Sequence, residues 1–393
     1  MGKFYVFIII IVTFVLVLSG TFYLTVNLNN LQKGMLIGSI FSILYLFVFS
    51  KLIIQINVKI FIIYSFFFVI CLLSSLINQD EELFKGILIL YLMYVSLGII
   101  YPSMFPYNIN INKLLFLIFI FSHTPLILVS ILLRGINIPY SGIFYNSNAF
   151  GSVITIICIM LFSRLSSIID DFVFFNKNHL FKGLLLLSLL FLSFILILIS
   201  NSRTSFFTVF IITFIYLVSL FIKTILKMSK DIEKLIKMMF IINLLIIFCL
   251  CFVYMADVNQ LLKETIIDKT LKKSNDLLSG RGEIWKMTIN EMKFFGNGRE
   301  YFTSKHIAPY STYISLLGQY GILACIIYCL FLLIMCYYSY NYILKNNKDS
   351  YRYTPLYITL VFIIMSFAEG MFFKTPMVMT YLTIGITSVS KGH

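Results

Sequence analysis

Two short runs combine arginine with glycine or serine in a way that suits phosphate chemistry. The first is Ser279-Gly280-Arg281-Gly282-Glu283-Ile284-Trp285, followed by Gly296-Asn297-Gly298-Arg299. A helix that starts at Ser279 or Gly280 turns its free N–H groups outward with Arg281 at its start, and such a terminus attracts anions through its donors and dipole. Arginine adds a planar fork matched to phosphate oxygens. The run reads as a pyrophosphate site at a membrane surface, or as an ordinary helix cap with a solvated arginine. The second run, Asn201-Ser202-Arg203-Thr204, separates two long apolar blocks with almost no loop. Arg203 is held at the membrane face, where a charge needs a partner such as a lipid phosphate, or where it snorkels to anchor a helix end.

A third run, Tyr145-Asn146-Ser147-Asn148-Ala149-Phe150-Gly151, opens an apolar block. The amides of Asn146 and Asn148 suit sugar hydroxyls, and they equally suit a turn. Asp80-Glu81-Glu82 could hold a catalytic metal ion or form a solvated turn, and Asp170-Asp171 reads as a solvated loop. Glu369 lies between two apolar segments, where an acid is costly unless paired, with Lys374 near enough to pair it. His123 and Pro125 fall inside an apolar block as a polar packing contact and a kink. The seven cysteines all lie in apolar segments without metal-ligand spacing. No metal site and no cofactor is expected.

The elements that must position these residues are membrane spans. Of 393 residues, 60% are hydrophobic and 12% charged, which excludes cytosolic enzymes, nucleic-acid binders and receptors with a large folded ectodomain. At roughly 20 residues per span, the apolar content supplies eleven or twelve. Apolar blocks predict spans near 4–26, 35–55, 59–77, 84–101, 114–133, 143–162, 183–200, 204–222, 238–256, 312–339, 355–368 and 375–389. The fold expected is an all-α polytopic membrane protein, one integral domain over 1–393.

The net charge of +14 forms no nucleic-acid stripe and reads as topology. With the N-terminus inside, the cytoplasmic segments hold sixteen Lys and Arg and the opposite short loops five, which puts both termini in the cytoplasm. The one long loop, 257–310, then faces outward. Two stretches of it have helical apolar spacing, Val258 to Leu271 and Ile284, Trp285, Thr288, Ile289, Met292, Phe295. Both suit short amphipathic helices in the headgroup zone.

Taken in order, Tyr145 to Gly151, Ser202-Arg203, Gly280-Arg281 with Trp285, Gly296 to Gly298, and Pro309-Tyr310-Ser311-Thr312-Tyr313-Ile314 with Gly318 and Gly321 resemble the successive landmarks of the O-antigen ligase and polymerase superfamily. The resemblance spans about 143–339. It implies glycosyl transfer outside the bacterial cytoplasmic membrane, from a saccharide on undecaprenyl pyrophosphate. The polymerase branch joins lipid-linked repeat units into O-antigen, capsule or exopolysaccharide, whereas the ligase branch moves a finished chain to lipid A core. Membrane lipids, a flippase and a chain-length regulator are the implied partners.

In that resemblance Arg203 and Arg281 hold the pyrophosphate leaving group, and Asn146, Asn148, Trp285, Arg299 and Tyr313 contact substrate. Many members, ligases especially, carry a histidine where this chain has Tyr310, which counts against the ligase branch. Histidine titrates near 6.5 and tyrosine near 10, so His306 is expected to take the acceptor proton and Tyr310 to orient the acceptor sugar. In a helix the two would share one face, although Pro309 opposes an unbroken helix. A solvated loop histidine is the alternative. A lipid-linked oligosaccharide flippase is the reading from another class, but it should line its spans with charge and show related halves. These spans are nearly charge-free.

Overall fold

The computed structural model describes residues 3–22, 25, 29–50, 57–104, 110–135, 137–175, 180–228, 236 and 281–371. All helices and no strands make up the regular elements among the described residues, as expected where a lipid-embedded backbone must pair its own N–H and C=O groups. Seven of these helices are long and apolar enough to cross a membrane. The protein is an all-α polytopic membrane protein. The expected span at 238–256, the amphipathic stretch at 258–271, the last span at 375–389 and Lys374 lie outside the described residues.

The chain divides into two compact units, Met1–Leu132 with Gly280–His393, and Leu133–Ser279. The first contains α1 (Lys3–Phe22), α2 (Asn29–Ser50), α3 (Val58–Ile77), α4 (Glu81–Tyr94) and α5 (Ile111–Arg134). α4 runs on through a π-helical turn, Val95–Ile100, to Ser103. Its core is aromatic. Tyr64 of α3 has ring centroids 4.1 Å from Tyr94 of α4 and 4.0 Å from Phe331. Large rings fill the space between helices with little loss of side-chain entropy. His123 is fully buried in α5, between Thr21 Oγ1 at 2.8 Å and Ser122 Oγ at 2.7 Å. It is the polar packing contact that its position in an apolar block predicts.

The second unit contains α6 (Ser147–Phe175), α7 (Leu180–Ser200) and α8 (Arg203–Met228). Here the sequence reading needs correction, because the sixth span, expected at 143–162, begins at Ser147 and continues to Phe175. Asp170 and Asp171 are therefore buried helical residues, 5% and 8% exposed, and not a solvated loop. Asp170 is compensated from α8: Tyr216 Oη lies 3.2 Å from one carboxylate oxygen and Lys223 Nζ 3.7 Å from the other. A paired carboxylate can stay inside a helix bundle where a lone one would not.

The rest of the first unit is built from α9 (Arg281–Asn290), α10 (Glu300–Thr303), α11 (Thr312–Gln319), α12 (Ile322–Lys345) and α13 (Thr354–Ala368). The span expected as one helix over 312–339 is two, broken at Tyr320 and Gly321. Gly321 has φ +94°, and a Cβ there would lie 2.3 Å from the Phe294 carbonyl oxygen. The break exists because the 293–296 loop packs its backbone directly onto the chain at this point.

Candidate functional site

In the first unit, α9 carries Arg281 in its first turn. The guanidinium is half-buried and donates through Nη1 to the Ala368 carbonyl, 2.8 Å away at the end of α13. A cation beside the last carbonyls of a helix is favoured by the helix dipole. Its carbon sits 5.1 Å from the centroid of the Tyr310 ring, a cation–π distance. The fork is thus aimed by a carbonyl on one side and a ring on another, and among the described residues its other N–H donors have no protein acceptor.

The Pro309–Ile314 motif serves the same end of α13. Ser311 caps α11 and donates to the Ser366 carbonyl at 3.2 Å, while Thr312 Oγ1 donates to the Glu369 carbonyl at 3.1 Å. Tyr313 donates its hydroxyl to the Ile363 carbonyl at 3.1 Å and packs its ring on Phe367. The last four carbonyls of a helix have no intrahelical donor, and Ser311 and Thr312 supply donors to two carbonyls at the end of α13, Ser366 and Glu369. Tyr313, expected to contact substrate, has its hydroxyl on an interior carbonyl of α13.

Trp285 is likewise a packing residue. With Ile284 and Ile307 it lies against the buried cluster of Tyr301, Phe302 and Ile314. That cluster fastens α9 to α10 and α11. Its indole N–H is buried without a hydrogen-bond partner among the described residues.

His306 and Tyr310 do not share a helix. The chain over 307–310 has no regular structure, and both residues adopt left-handed backbone, φ +53° and +47°. Pro309 disfavours helical backbone in the residue before it, and the one-face pairing that a helix would have given is absent, as the proline's presence suggested. His306 is exposed, and Tyr310, 50% exposed, faces Arg281.

Arg299 is drawn to the turn before α4, where it pairs with Glu82 at 3.0 Å. The carboxylates of 80–82 are therefore spent on protein groups: Asp80 caps α4, Glu81 pairs with Lys85, and Glu82 holds Arg299. Two of the glycine landmarks meet here. Gly296, φ +72°, lies so close to α11 that a Cβ would be 2.3 Å from the Gln319 carbonyl oxygen. Backbone hydrogen bonds from Asn297 N to Gly318 O (2.9 Å) and Gly298 N to Gln319 O (3.1 Å) close this junction.

Of the loop carboxylates, Glu291 is paired with Lys305. The hydrogen bond from that ammonium holds its carboxyl below the usual glutamate range, and the carboxylate in turn raises Lys305. A base with a lowered affinity for protons is poorly suited to activate a hydroxyl.

In the second unit, Asn146, Gly151, Ser202 and Arg203 converge. Asn146 Oδ1 accepts from Ala149 N at 2.8 Å and so starts α6. Ser202 does the same for α8, accepting from Ser205 N at 3.4 Å. Gly151 allows the two starts to touch, since a Cβ there would meet Ser202 Cβ at 2.6 Å. Arg203 and Asn148 are half-buried beside this contact in sequence and both engage neighbouring groups. Ser74, Asn78 and Ala368 were not singled out by residue type. Their contributions are contacts with residues far along the chain, and only the turn signal at Asn78 to Asp80 was visible.

Residues 188–329 match the sequence model of a protein family described as O-antigen ligase. No curated protein matches the chain. The match covers a little over a third of the 393 residues and contains Arg203, Arg281, both glycines of the loop junction, and the Pro309–Ile314 motif. It supports the O-antigen ligase/polymerase superfamily and with it a membrane enzyme of O-antigen-type glycan transfer.

Proposed function

We propose that the protein is a polysaccharide polymerase that moves a glycan chain from undecaprenyl pyrophosphate to a sugar hydroxyl of a lipid-linked repeat unit, on the outer face of the cytoplasmic membrane. The observation that carries this reading is the family match over 188–329. The aimed fork of Arg281 agrees with it. In the reaction the acceptor oxygen bonds to the anomeric carbon as the carbon–oxygen bond to pyrophosphate breaks. The electron pair leaves with undecaprenyl pyrophosphate, and the acceptor proton passes to a base.

Arg281 stabilises the departing charge through N–H donors left over from its bond to Ala368. Arg203, in the other unit, keeps the phosphate-binding role that the resemblance implies for it. Pre-aimed donors at a membrane surface cost no reorganisation as charge develops. His306 is the proposed base, and Tyr310 orients both Arg281 and the acceptor. No step calls on a metal. Ligation to lipid A core is the second reading, favoured by the description of the matching family.

Arg281→Ala and Arg203→Ala should each abolish long-chain polymer in cells at unchanged protein level. Arg281→Lys should rescue poorly, because a point charge cannot replace the fork. Normal polymer from both alanine variants would defeat the assignment. Offering purified protein both lipid A core and lipid-linked repeats as acceptors separates polymerase from ligase.

A further inference from the structure

The turn between α3 and α4 lies outside the family-matched residues, yet it holds the loop that follows α9. Ser74 Oγ donates to the Phe295 carbonyl at 2.6 Å, and Asn78 Nδ2 donates to the same oxygen at 3.1 Å. Asp80 Oδ2 accepts from Arg299 N at 2.7 Å. The other oxygen of Asp80 accepts from Leu83 N at 3.0 Å, the helix cap. Asp80 therefore spends its two oxygens on two backbone donors, one in its own helix and one 219 residues away. A cap alone needs one oxygen.

α9 is held at both ends and, through Ile284 and Trp285, against the Tyr301, Phe302 and Ile314 cluster between them. Its first residue is fixed to α13 through Arg281 and Ala368. Its far end leads into the loop, where Asn297 Nδ2 donates to the Glu291 carbonyl at 3.2 Å. A ten-residue helix is about 15 Å long, so freedom at the loop end tilts a rigid rod about that cluster and reaches Arg281 at its other end. Misplacing a reacting group by about 1 Å can cost on the order of a hundredfold in rate.

We propose that Asp80 is a positioning residue for glycan transfer, acting through the 294–299 loop and α9 on Arg281. The inference rests on the functional reading above. Asp80→Asn tests it, because asparagine caps helices well but has one acceptor oxygen and cannot serve both donors. Glu81→Gln is the control, since Glu81 pairs with Lys85 alone.

The experiment uses cysteine-free full-length protein in nanodiscs, with a nitroxide at Met292→Cys, an exposed loop position. Asp80→Asn should raise label mobility and Glu81→Gln should not. With lipid-linked repeat units, Asp80→Asn should lower kcat/KM on the order of 10- to 100-fold. In an Arg281→Lys background the further loss should be less than about twofold, because effects on one unit do not add. An immobile label in Asp80→Asn, or an equal fold-loss in both backgrounds, would overturn the proposal. A mobilised label in Asp80→Asn together with inactive wild-type protein would overturn the functional reading and leave the anchoring intact.

Discussion

The junction between the 293–298 loop and α11 allows almost no added volume, and Gly296→Ala probes it most sharply. A Cβ at position 296 would lie 2.3 Å from the oxygen and 2.5 Å from the carbon of the Gln319 carbonyl. These are backbone atoms, so relief requires moving the loop or the end of α11. Movement breaks three hydrogen bonds, Asn297 N to Gly318 O, Gly298 N to Gln319 O and Ile322 N to Lys293 O. At about 1 kcal/mol each, with a further 1–2 kcal/mol or so for an L-residue in left-handed backbone, the variant should lose about 4–5 kcal/mol. Gly321→Ala, whose Cβ would lie 2.3 Å from Gly296 N, should cost as much. Gly86→Ala in α4 meets nothing within 4 Å and should gain about 0.5–1 kcal/mol from helix propensity. Thermal unfolding of the purified variants in one detergent should therefore give midpoints well below wild type for positions 296 and 321 and at or above it for 86. A wild-type midpoint for Gly296→Ala would refute the packing of the loop on α11.

Three other outcomes follow from particular contacts. Cysteines placed at Phe294 and at Lys348 in a cysteine-free background should label oppositely on intact cells, Phe294→Cys from outside and Lys348→Cys only after permeabilisation, and the reverse pattern would invert the topology. Asp170→Ala removes the carboxylate that Lys223 and Tyr216 share; since Lys223 is partly accessible, the loss should be nearer 1–3 kcal/mol than the full cost of a buried charge, read as a lower unfolding midpoint. Glu291 is held below its ordinary value, so the stability it contributes is present above that value, 4.5, and fades as pH falls through the lowered one; Glu291→Gln should unfold slightly earlier than wild type at pH 7 and converge with it in acid, the effect being small because the pair is exposed.

Hydropathy located the helices well where lipid alone decides. The expected 59–77 is α3, Val58–Ile77, and the expected 114–133 is α5, Ile111–Arg134. It failed where distant partners decide. Asp170 looked like a span end because Tyr216 and Lys223, which make its burial tolerable, stand on another helix. The break at Gly321 lay inside an apolar run, and its cause is a backbone contact with the 293–296 loop.

The site followed the same division. Arg281 was legible from its neighbours, although its bond to Ala368 was not. The resemblance implied substrate contacts for Trp285, Tyr313 and Arg299, and the structure adds a protein partner for each, the Phe302 cluster, the Ile363 carbonyl and Glu82. Residue type cannot tell a side chain that greets a ligand from one that caps a helix, because the same donors do both.

The central claim is tested most directly by reconstitution. Purified protein in proteoliposomes, given undecaprenyl-pyrophosphate-linked repeat units of its own host, should produce a ladder of lipid-linked polymer and release undecaprenyl pyrophosphate. Arg281→Ala at equal protein should give neither. Absence of any glycan transfer by well-folded wild-type protein, to a lipid-linked repeat or to lipid A core, would contradict the account.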